Sequence, residues 1–123
     1  MIHEFDPQIY PRLVWVAINP SRSELEKFFG RYATTIKDLD ESTDAQCWET
    51  GREYPEQRGG VLAIFESKAA MTVENMAHEA VHLAMMIFDY VGAEANIKDQ
   101  EPFAYLVGWI TRCMNVAKKS KLK

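Results

Sequence analysis

The chain has 123 residues, 47% of them hydrophobic and 26% charged, with a net charge of -4 and a pI of about 5.4. These values match an ordinary globular protein with one domain over residues 1–123, long enough to bury roughly two-thirds of its unfolded surface. They exclude disordered, collagen-like and coiled-coil compositions, and the acidic balance argues against nucleic acid as a partner. The two cysteines, Cys47 and Cys113, form neither a disulfide framework nor a zinc-knuckle pattern, and reduced thiols in a cytoplasmic protein are expected. The first six residues lack the basic start and apolar stretch of a signal peptide. The longest apolar run, residues 103–110, falls well short of the about 20 residues that cross a bilayer, so no membrane partner is expected.

In chain order, residues 12–19 read as a strand through Leu13, Val14, Trp15, Val16, Ala17 and Ile18, stopped by Pro20. Ser21 and Ser23 each precede a glutamate by three residues, Glu24 and Glu26, so two overlapping capping boxes mark a helix start, with Gly30 at its end. Residues 33–39 are compatible with a strand through Thr34, Thr35 and Ile36. A solvated turn over residues 40–44 follows, then a weakly alternating strand over residues 45–50 around Cys47. Residues 51–60 read as a loop, and Gly59-Gly60 lead into the clearest second strand, from Val61 to Glu66.

The C-terminal half is helical. Thr72 suits an N-cap, Glu74 suits the positive helix end, and no Pro or Gly interrupts residues 73–91 before Gly92. Apolar residues fall nearly all round this helix, as in one buried between layers. A loop to about Gln100 leads to a last helix that begins near Glu101-Pro102, with Phe103, Leu106, Val107, Ile110, Cys113, Met114 and Ala117 as its apolar stripe.

His78-Glu79-Ala80-Val81-His82 places two histidines four apart, on one face of the first of these helices. Both imidazoles can then converge on one zinc ion. Glu79 is turned about 100° from His78, beside the metal, where a carboxylate serves as general base toward water. A catalytic zinc takes three protein ligands and keeps one position open. Glu101 is the candidate third ligand. It follows His82 after 18 intervening residues, enough to finish one helix, turn at Gly92 and return antiparallel. His3, the remaining histidine, has no spacing argument in its favour.

The pattern His78-Glu79-x-x-His82, 18 residues, then Glu101-x-Phe103-Ala104 resembles the gluzincin superfamily of zinc metallopeptidases. The compact form, with residues 100–107 reading QEPFAYLV, is also similar to small zincin-like proteins of bacteriophages and prophages. The resemblance implies an α+β fold with a minimal zincin-like core, a small mixed sheet on the HExxH helix and a C-terminal helix. It implies His78, His82 and Glu101 as zinc ligands and Glu79 as general base. It also implies a peptide or protein substrate bound in extended form along an edge strand, here Val61 to Glu66. The N-terminus-binding strand of the aminopeptidase branch is missing, and Tyr105 stands where thermolysin-like members have an aspartate. Tyr105, one turn past Glu101, fits either a donor to a tetrahedral oxyanion or a core-edge tyrosine facing solvent. Tyr54 is a weaker candidate to reach over the cleft, and Trp15, Trp48 and Trp109 read as core or cleft residues. The expected activity is zinc-dependent peptide hydrolysis, with a catalytically silent binding module as the alternative.

Overall fold

A computed structural model describes residues 1–39, 42–50 and 59–121. Its elements are β1 (Ile2–Phe5), β2 (Leu13–Ile18), α1 (Arg22–Phe29), a 3-10 turn (Gly30–Thr35), β3 (Ala45–Thr50), β4 (Gly60–Phe65), α2 (Val73–Val91) and α3 (Glu101–Lys119). The class is α+β, as expected. The four strands form one mixed sheet in the order β1-β2-β4-β3. The central pair, β2 and β4, runs parallel, and β1 and β3 flank it antiparallel.

The two central strands are buried along their whole length, which is why LVWVAI and GVLAIF are continuous apolar runs. Alternation sends Val14, Val16, Ile18, Val61, Ala63 and Phe65 to one face, under α2 and α3. Leu13, Trp15, Ala17, Leu62 and Ile64 go to the other, under α1 and the 3-10 turn. The sheet is therefore a middle layer between two helical layers.

Ser21 caps α1 in a capping box with Glu24, while the second expected box, from Ser23, does not start a helix. Thr72 caps α2 by accepting from the Asn75 amide, and Gly92 ends α2 at φ 76°, a left-handed position that suits glycine. The helices α2 and α3 pack antiparallel. Phe88 and Phe103 meet at 5.2 Å near the connection, and at the far end Lys118 Nζ donates to the Met71 carbonyl at 2.7 Å.

Two expectations are corrected, and one strand is added. The run 33–39 is not a strand. Thr34 and Thr35 turn their hydroxyls to the carbonyls of Arg31 and Tyr32, at 2.9 and 2.8 Å, and so close a 3-10 turn despite their β-branched shape. β1 was not expected, because its alternation is short and carries His3 and Glu4. It is held by pairing with β2 and by Trp15 Nε1 donating to Glu4 Oε1 at 2.9 Å. The run from Val61 to Glu66 is not an edge strand. β4 ladders with β2 on one side and β3 on the other, so the edge on the α2 side is β3. Residues 40, 41 and 51–58, with Tyr54 among them, lie outside the described residues.

Gly60 sits opposite Leu13 in the parallel ladder, and a Cβ there would run into the Leu13 carbonyl and its backbone. Gly60→Ala should therefore cost about 1–3 kcal/mol, as overpacking of a tight interior does. A lowered urea midpoint with an unchanged slope is the expected reading.

Candidate metal centre

The helix α2 lies over β3 and β4 and buries Met76, Glu79, Ala80, Leu83, Ala84, Ile87 and Phe88. His78 and His82 fall on its exposed side, one turn apart. Their Nε2 atoms are 3.2 Å apart, with the rings edge-on. Two nitrogens bound at about 2.0–2.1 Å to one tetrahedral zinc would be separated by about 3.3 Å. The same spacing suits a ring N–H···N hydrogen bond between the two histidines without metal. One ligand atom from each of His78, Glu79 and His82 lies within 4.8 Å of the others, so this group fits a divalent cation.

Glu79 differs from the histidines in being only 6% exposed. It sits at the border between the buried and exposed sides of α2, against β3. There the Cys47 thiol lies 3.6 Å from the Glu79 carbonyl and 3.7 Å from its carboxylate Oε1, within reach to donate to either. Burial pushes the Cys47 thiol well above its ordinary value of 9.0, and the Glu79 carboxylate and the thiol's hydrogen bond to it push the same way. Cys47 is thus a protonated donor that steadies the carboxylate. Residue type alone did not point to it. The period-2 alternation of β3, which turns Ala45 and Cys47 toward α2, was the available signal.

Arg12 was also missed. It is 2% exposed, and its Nη2 donates to the carbonyls of Thr50 and Gly60 and pairs with Glu49 at 3.6 Å. Its guanidinium stacks over the Tyr90 ring, 4.1 Å from the centroid. One side chain therefore ties the end of β3 to β4 and to the last turn of α2, and so fixes β3 beside the site.

Glu101 is not brought to the histidines. α2 runs on nine residues past His82, about 13 Å along its axis, before α3 begins at Glu101 itself. In an antiparallel pair the first turn of α3 stands level with the last turn of α2. Glu101 is exposed there and lines a separate cleft with Tyr105, which is 73% exposed. The expected third ligand and the expected oxyanion donor are therefore both away from the His78–Glu79–His82 group. His3 stands on β1 and is not part of that group either.

No family model, no curated protein and no solved structure matches the chain. No helix among the described residues is long and apolar enough to cross a membrane.

Both cysteines are free, and burial pushes the Cys113 thiol up to about 11. Because both folded values lie above the unfolded ones, the unfolded chain loses these protons first as pH rises. Stability should thus be fully present below about pH 9 and fall between pH 9 and 11. The double variant Cys47→Ala/Cys113→Ala should show a shallower decline. Denaturant titrations at pH 7, 9 and 10.5 give the comparison.

Proposed function

We propose that this protein is a zinc-dependent metallopeptidase of the HExxH type. The observation that carries the reading is the pair of histidine nitrogens 3.2 Å apart with the buried carboxylate of Glu79 within reach of both. His78 and His82 would hold the metal. Zinc, when bound, supplies Lewis acidity to a substrate carbonyl and to water. Glu79, steadied by Cys47, accepts a proton from water and returns it to the leaving amine, the role of a positioned general base and acid. An extended peptide adds to the outer edge of β3, whose other edge is taken by β4, and so passes beside His78 and His82. The resemblance to gluzincins and to small phage zincin-like proteins supports peptide hydrolysis as the reaction and a phage or prophage setting. The two free thiols favour a reducing compartment such as the cytoplasm.

The silent binding module is favoured by one observation. With Glu101 apart and Glu79 as the base, two ligands, His78 and His82, are in place among the described residues where a catalytic zinc takes three.

Metal analysis and a peptide-library cleavage assay on zinc-loaded protein test both readings. Wild type should bind close to one zinc per chain and cleave, and His82→Ala should lose the metal. Glu79→Gln should keep the zinc and lose roughly 10²–10⁴-fold in rate, because an amide cannot accept the proton. If loaded wild type cleaves nothing, the module reading replaces the enzyme.

Glu101→Gln separates resemblance from geometry. The gluzincin ligand set requires weaker zinc binding in this variant, whereas the observed placement of Glu101 requires unchanged zinc content and affinity. Competition with a chromophoric chelator measures the difference.

A further inference from the structure

A broad cleft lies away from the histidines. It encloses about 870 Å3 between the β1–β2 connection and the outer side of α3, and its walls include Ile9, Tyr10, Glu101, Tyr105, Trp109 and Arg112. Ile9 is 83% exposed and Tyr105 73%, so large apolar side chains stand in water along this side. Glu101 begins the stripe on α3 and Arg112 ends it, about 16 Å apart along the helix. Neither has an ion-pair or hydrogen-bond partner among the described residues. Between them Gly108 leaves an open notch, since a Cβ added there would meet nothing within 4 Å.

This stripe is complementary to itself under a two-fold axis. Let two copies of α3 cross antiparallel, with the dyad level with the peptide between Leu106 and Val107. Glu101 then stands level with the partner's Arg112 at each end, Tyr105 with the partner's Gly108, and Ala104 with the partner's Trp109. Acid meets base at both ends, and on the exposed face between them a large ring meets a small residue at the two levels Ala104–Trp109 and Tyr105–Gly108. A parallel pairing would instead set acid on acid and base on base. Self-complementarity of this kind is what an isologous interface demands, because each contact occurs twice.

We infer that the chain forms a two-fold dimer through the outer side of α3, with the second copy covering the exposed apolar stripe and pairing Glu101 with Arg112 across the dyad. The pairing is electrostatic at its ends and apolar at its centre, so charge sets the register.

Sedimentation equilibrium on the full chain, in chelator so that no metal can bridge copies through the histidines, tests this. Wild type should sediment at twice 14.1 kDa. Glu101→Arg alone and Arg112→Glu alone should each be monomeric at the concentration where wild type is dimeric. An equimolar mixture of the two should form a one-to-one heterodimer, because acid again faces base at both ends. Gly108→Arg should keep its fold by circular dichroism, since the added side chain enters open space, and should be monomeric. If either charge variant misfolds, Gly108→Arg decides the matter. A monomeric wild type, dimers that survive Gly108→Arg, or a mixture of folded charge variants that does not reassociate would each overturn the inference.

Discussion

The seating of α2 on the β3–β4 side of the sheet governs everything the site can do. Val61, Ala63 and Phe65 offer that helix an apolar floor, and α2 covers it with Met76, Ala80, Leu83, Ala84 and Ile87. Once that stripe is down, the 3.6-residue period leaves no freedom for the rest. His78 and His82 must rise on the exposed side, and Glu79 must fall at the border, facing β3. A carboxylate at such a border is costly to bury alone. The Cys47 thiol supplies a donor there, and a carboxylate oxygen of Glu79 stays within 4.8 Å of the histidine nitrogens. The two environments, solvated imidazoles and a sheltered carboxylate one residue apart, follow from packing of the helix and from nothing specific to catalysis.

The helical half was legible because its signals are local and strong. Thr72 and Gly92 bound α2 as read from the sequence, and the HExxH spacing maps directly onto one helical face. The central strands were legible because burial on both faces leaves an apolar run that no other element of that length requires. What failed was relational. Nothing in Val61 to Glu66 states which strands lie beside it. Its full burial now reads as evidence for an interior strand, since an edge strand with one open side would carry polar residues as β3 does at Gln46 and Glu49. The 3-10 turn was hidden for a related reason. β-branched threonines favour strands only while their hydroxyls do not bond locally, and Thr34 and Thr35 both do.

Glu101 shows how a spacing can be right in count and wrong in reach. Eighteen residues are ample to return to His82 if most of them form the turn. Here nine of them extend α2 and nine form the connection, so the return begins at the far end of the hairpin. The residues of α3 that stand level with the histidines are those near its buried middle. The spacing therefore holds for His78, Glu79 and His82, which depend on one helix and come together in a group that could hold a metal ion. It does not transfer to a ligand whose position depends on where two helices end.

That same displacement gives α3 a side free for other work. α2 lies over β3 and β4, whereas α3 lies over β2, and none of the residues lining the cleft on α3 belongs to the His78–Glu79–His82 group. Joining two copies through α3 in the proposed dimer would use the stripe from Glu101 to Arg112 and leave the His78–Glu79–His82 group and β3 outside the contact. Dimerisation through the β3 edge would do the reverse and block them. A small chain gains buried apolar surface from a partner copy, and a contact on α3 supplies it without using β3. The charge pattern of Glu101 and Arg112 is what confines it there, because no parallel register along that helix satisfies both ends.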